Sequence, residues 1–190
     1  MGITTRYRDK SLGSISPADV SLETLPVVEL SNEQLRTVEE LAKDRNKSYQ
    51  SIDGGLKFGE AGSLTNHQKG VLGELAVANR YNVKIDSEIY DFGDDGTDLK
   101  LGQKTVDVKA TATDKMRLPQ LLVRSDKELS ADLYFRVHIL DQTSSGARVR
   151  LIGYASKARV EDRDPQRHPG STKNYVVEPS ELTLPPCVRL

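Results

Sequence analysis

Tryptophan is absent from these 190 residues, and cysteine occurs once, methionine twice and histidine three times. The lone Cys187 excludes an internal disulfide and a zinc cluster built on cysteine thiolates, which needs several of them. The histidines are scattered at 67, 138 and 168, so an imidazole-rich transition-metal site is not expected either. No apolar run is long enough to span a bilayer. Met1 to Lys10 also lacks the apolar segment of a secretory signal, so the expectation is a soluble cytoplasmic protein without a membrane partner, in the host cytoplasm if the chain is viral.

A surplus of one charge is missing too. The 27 lysines and arginines meet 28 aspartates and glutamates for a net charge of −1, so contact with nucleic acid would have to come from a local patch. One stretch is a candidate. Between Arg148 and Lys173 seven Lys or Arg, Arg150 among them, stand against Glu161, Asp162 and Asp164, which reads equally well as a solvated surface.

What is present suffices for one domain, because a chain of this length buries on the order of 70% of its unfolded surface. Residues 1–30 carry Pro17 and Pro26 without sustained periodicity and read as an arm or extension, with residues 31–190 as the domain. Ser31-Asn32-Glu33-Gln34 is a capping-box pattern, and Leu35, Val38, Leu41 and Ala42 follow at helical spacing to about Lys47. A glycine-rich connection over 51–63 leads to a second box, Thr65 to Gln68, and a helix to about Tyr81. Strands are expected over 83–90, 97–101, 104–112, 119–124, 132–140 and 147–155. A short helix over 156–161, a loop over 165–171 and an edge strand over 175–177 complete the chain. Helices first and strands after them imply an α/β or α+β sheet rather than a barrel or a bundle.

The chemistry concentrates where strands 97–101 and 104–112 meet. If Gly102-Gln103 is the loop of a type II′ hairpin, Leu101 pairs with Lys104 and Asp98 with Asp107. Two carboxylates would then stand side by side, about 5 Å apart at Cβ, and such a pair is unfavourable without a cation between them. A divalent ion is the natural candidate. Alternation places Lys100, Thr105 and Lys109 with the acids and Leu99, Leu101, Val106 and Val108 on the core face. In the second helix Glu74 interrupts a strip of small and apolar neighbours, Gly70, Val71, Val77 and Ala78, and Gly73 beside it permits close approach to a sheet. A lone glutamate at the edge of a packed face is the plainer interpretation.

In this order the pieces are Gly70-Val71-Leu72-Gly73-Glu74 in a helix, Gly96-Thr97-Asp98-Leu99, and Val106-Asp107-Val108-Lys109 on the next strand. Together they resemble the PD-(D/E)xK nuclease superfamily, the restriction-endonuclease-like fold, and Ser130 to Val137 and Leu151 to Ala155 look like later strands of its phage and prophage members. The resemblance spans roughly residues 31–184, with Thr97 where the family often has proline. It implies a central mixed sheet flanked by helices and an endonuclease that hydrolyses DNA and leaves a 5′-phosphate and a 3′-hydroxyl, without a nucleotide cofactor. It also implies Mg²⁺, or Mn²⁺ in its place, held by Asp98, Asp107 and the Val108 carbonyl. Lys109 would then activate the attacking water and Glu74 would bind a second ion or its water. Lys69, Arg117, Arg148 and Arg150 are candidate contacts to the DNA backbone, and a homodimer is an assembly common among such enzymes. The residues alone also fit a nuclease-like module that binds nucleic acid or a protein without cutting it.

Overall fold

The computed structural model describes residues 16–50, 60–85, 96–113, 117–168 and 170–185, except for the side chains of 46–50 and 60–64. Residues 51–59 of the glycine-rich connection, residues 86–90 of the strand expected over 83–90 and Cys187 lie outside the described residues, and of 83–85 only Ile85 pairs, in an isolated bridge with Leu99.

The first helix begins where its cap predicts. The Gln34 N–H donates to the Ser31 hydroxyl at 3.3 Å and the Ser31 N–H to the Gln34 amide oxygen at 2.9 Å, a reciprocal box that opens α1 (Asn32–Gln50). Leu35, Val38 and Ala42 then turn one face of α1 into the core. The second helix, α2 (Glu60–Tyr81), starts before the Thr65 box rather than at it. A capping pattern permits a start but does not enforce one, and Glu60 and Ala61 are good helix formers. At its end Asn82 takes a left-handed φ of 51°, and the Val83 N–H reaches back to the Ala78 carbonyl at 3.0 Å, closing the helix as a Schellman turn does.

The strands are β1 (Val27–Ser31), β2 (Leu99–Leu101), β3 (Lys104–Ala112), β4 (Leu121–Arg124), β5 (Leu133–Thr143), β6 (Gly146–Ser156), β7 (Gln166–Arg167) and β8 (Lys173–Val177). Five of them form one mixed sheet in the order β1-β6-β5-β3-β2, in which β3 and β5 run parallel and the other neighbours antiparallel. The remaining three form a small sheet in the order β4-β8-β7. A short helix, α3 (Lys157–Glu161), is capped by Ser156, whose hydroxyl accepts the Arg159 N–H at 3.3 Å. The fold is mixed α+β.

Two further elements differ from the sequence expectation. Val27–Ser31 lies inside the stretch read as an arm, yet it pairs with β6 and its neighbourhood buries Leu25 and Leu30. Five alternating residues give too short a periodic signal to stand out beside two prolines. Residues 175–177, expected as an edge strand, belong to the longer β8, which lies between β4 and β7 because the loop before it contributes a short partner strand, with Gly170 at φ +62° between them.

The large sheet has two unlike faces. On one, Val106, Val108, Phe135, Val137, Val149 and Leu151 pack under α1 and α2. On the other, Tyr134, Ile152 and Ala155 pack against Leu121, Val123, Val160 and Val177 of the small sheet and α3. Helix α2 sits unusually close: a Cβ on Gly73 would lie 2.8 Å from the Ala110 Cβ and 2.9 Å from Val137 Cγ2, so only glycine fits. Among the described residues no helix is long and apolar enough to cross a membrane.

Candidate active site

Gly102 has φ +62° and Gln103 a negative φ, which is the type II′ pattern. The register follows, with Leu101 opposite Lys104, Lys100 opposite Thr105 and Leu99 opposite Val106. One step further the ladder changes. The Asp98 N–H donates to the Val106 carbonyl at 2.8 Å, and the Asp98 carboxylate accepts the Val108 N–H at 2.6 Å. Asp98 is thereby seated on the peptide that joins Asp107 to Val108. Asp107 in turn pairs with Lys109, Nζ to Oδ2 at 2.7 Å. Each acid of the expected repelling pair thus has a donor of its own, and both are buried, at 5% and 8% exposure. In an extended strand the N–H and C=O of one residue point to the same edge, so the Val108 carbonyl lies on the edge where Asp98 sits.

The start of β3 is fixed by a polar clamp. Asp132 Oδ2 accepts the Thr105 N–H at 2.9 Å and its hydroxyl at 3.1 Å, while the Asp132 N–H donates to Thr105 Oγ1 at 3.0 Å. These bonds hold the Asp132 carboxyl below the usual carboxylate range.

Glu74 is 3% exposed, and Arg45 from α1 reaches it, Nη1 to Oε1, at 2.7 Å. An ionised carboxylate at that depth needs such a partner. Its neighbour Gly73 rests on Val108 and Ala110, so the helix carrying Glu74 is seated on the part of β3 that holds Lys109. Asp107 and Lys109 project from the opposite face of that strand. His67 lies about two turns before Glu74 on α2, its pKa pulled below the ordinary 6.5 by burial and further by the charge of Arg45.

A polar row crosses that opposite face. The parallel register sets Asp107 beside Tyr134, Lys109 beside Arg136 and Thr111 beside His138, and the next strand sets Arg150 beside His138. Burial pushes the Tyr134 hydroxyl up to about 12; a backbone bond from Ala131 opposes this, and the negative charge of Asp107 adds to it. Burial pulls the Arg136 guanidinium down to about 10, and its Nη1 donates to the Lys109 carbonyl at 3.1 Å. His138 Nε2 faces the Thr113 carbonyl at 2.9 Å.

Of the four cations expected on the DNA backbone, Arg150 joins this row, half-buried on β6. Arg148 is held by Asp141 at 3.2 Å. Lys69 is half-buried on α2 five places before Glu74 in the sequence, and Arg117 is exposed ahead of β4. Arg45 and Arg136 escaped the sequence reading. Arg45 follows Val38, Leu41 and Ala42 at the spacing of their own apolar stripe, and that is the signal that marks it.

Among the described residues no three His, Cys, Asp or Glu side chains stand ready as a metal-holding group. The oxygen donors nearest to such a role are Asp98, Asp107 and the Val108 carbonyl, a hard set that suits Mg²⁺ better than a soft ion, and Mg²⁺ takes only one or two carboxylates from a protein. The residues present therefore fit a magnesium ion completed by water and substrate. No family model, curated protein or solved structure matches the chain.

Proposed function

We propose that this chain is a metal-dependent endodeoxyribonuclease of the restriction-endonuclease-like fold. The observation that supports it best is the Asp98 carboxylate seated on the Asp107–Val108 peptide, with the Lys109 amine on Asp107. Buried acids and an amine on one hairpin have no packing role that apolar residues would not fill better.

In this reading Asp98 and Asp107 hold the ion with the Val108 carbonyl. When bound, Mg²⁺ supplies a water of lowered pKa and polarises the phosphate. Lys109 shares its proton donors between Asp107 and the water that attacks phosphorus, and offsets the negative charge that builds on the phosphate oxygens. Glu74, paired with Arg45, holds a second ion or a water of the first. The attacking water passes its proton to solvent as its oxygen bonds phosphorus, and the 3′-oxygen takes a proton from solvent as its bond to phosphorus breaks, so it leaves as a hydroxyl and the phosphate stays on the 5′ side.

Purified protein incubated with duplex, branched and single-stranded DNA should cut at least one of them with Mg²⁺ or Mn²⁺, and chelator should stop it. Asp107→Ala and Lys109→Ala should abolish cutting while the protein stays folded. A second reading, a module that binds nucleic acid or protein without cutting, is favoured by one observation: Asp107 and Glu74 each already have a cation from the chain itself. DNA affinity indifferent to metal, with no turnover on any substrate, is its signature.

A further inference from the structure

Arg136 is the one lysine or arginine among the described residues that is fully buried, at 7% exposure. Its Nη1 bonds the Lys109 carbonyl, yet its Nε is buried without a partner, and no carboxylate among the described residues pairs with it. A guanidinium has five N–H donors, and one backbone carbonyl is poor compensation for burying its charge. Methionine or leucine would fill the same volume without that cost. Such a buried fork of donors calls for an anionic acceptor.

Its position says which anion. Arg136 and Lys109 are register partners on adjacent parallel strands, about 4.8 Å apart, on the face that carries Asp107. Lys109 keeps 35% of its side chain in solvent, so solvent reaches the buried Arg136 from the Lys109 side. Across on β6 the half-buried Arg150 also has an Nε without a partner. A planar fork of donors beside a lysine matches a tetrahedral oxyanion with several acceptor oxygens.

We propose that Arg136 binds a phosphodiester oxyanion of the nucleic acid backbone alongside Lys109. The inference rests on the nuclease reading only for the carrier of that phosphate. The bond to the Lys109 carbonyl then has a second use, because it fixes the fork relative to the lysine that faces the same phosphate.

The test uses the full chain in EDTA, so that no cleavage intervenes. Its probes are inorganic phosphate, followed by thermal melting against chloride at equal ionic strength, and a short fluorescein-labelled duplex, followed by anisotropy. Wild type should melt higher in phosphate, and phosphate should compete with the duplex. Arg136→Met should lose the phosphate shift and bind the duplex about 10- to 100-fold more weakly, the loss of a hydrogen-bonded charge, with Arg136→Lys between the two. Without phosphate, Arg136→Met should melt no lower than wild type, since an unpaired buried charge has gone.

Equal duplex affinity and equal phosphate shifts in wild type and Arg136→Met overturn the proposal and leave Arg136 as a staple between strands. Should Arg136→Met fail to fold, wild type decides alone: no phosphate shift and no competition overturn it equally. The nuclease reading is judged separately by metal-dependent cutting. Cutting with unaltered Arg136→Met binding sinks only the arginine, and phosphate binding that needs Arg136 without any cutting sinks only the nuclease.

Discussion

Asp98 is bonded to the strand that carries the other acid: its Oδ2 accepts the Val108 N–H at 2.6 Å. Asp98→Ala leaves that N–H buried and unpaired, which should cost about 1–3 kcal/mol in urea unfolding without metal. Asp98→Asn keeps an acceptor and should recover much of the loss. Neither variant should cut DNA.

Arg45 and Glu74 form a second buried relationship, with side chains 19% and 4% exposed. Removing one member of a buried pair typically costs 3–5 kcal/mol, and the partial exposure of Arg45 lowers the expectation for Arg45→Met to about 2–3 kcal/mol. Glu74→Met with Arg45→Met should cost less than the sum of the two single changes. Additive losses in a double-mutant cycle would show that the two side chains do not depend on each other.

Gly73 sets how closely α2 approaches β3. Gly73→Ala gains helix propensity, but its Cβ meets Ala110 and Val137 at 2.8 and 2.9 Å. Overpacking of this kind costs about 1–3 kcal/mol against about 1 kcal/mol gained, so a net loss of stability is expected by thermal melting. A loss of cutting beyond the loss of folded protein should accompany it, because Glu74 moves with the helix.

Acid should weaken the fold through His67. Burial and Arg45 hold its pKa below the ordinary 6.5, so between the folded value and 6.5 the unfolded chain binds more protons. The stability His67 contributes is complete above pH 6.5 and is lost as pH falls toward the folded value. Unfolding free energies measured from pH 7.5 to 5 should decline, and His67→Gln should flatten that slope. The depressed Asp132 acts lower, below its ordinary 3.8, and leaves this window untouched.

The hairpin was readable because its signals are local: Gly102 at the one position that needs a positive φ fixes the register, and the register fixes which residues share a face. The strands β3, β5 and β6 were readable from two-residue alternation for the same reason. What balances the two aspartates was not. Bare opposition of like charges implied repulsion, whereas a backbone N–H and a lysine two residues away answer it, and such donors have no signature in spacing. Arg45 and Arg136 show the same limit. Arg136 sits where a strand pattern reads as polar surface until another element covers it, and Arg45, though on the spacing of an apolar stripe, finds Glu74 only once α1 packs on α2; both relationships are tertiary. The alternation of Phe135, Val137 and Ile139 did put Arg136 and His138 on the other face of β5, but not that this face is buried too.

The central claim is that Asp98, Asp107 and Lys109 form a hydrolytic centre for DNA, and metal-dependent cutting by wild type beside Asp107→Ala tests it most directly. The account predicts nicked or cleaved DNA with Mg²⁺ or Mn²⁺, none in EDTA, and none from a folded Asp107→Ala protein prepared in the same way. Equal cutting by both proteins, or none by wild type on duplex, branched and single-stranded DNA with either ion, would contradict it.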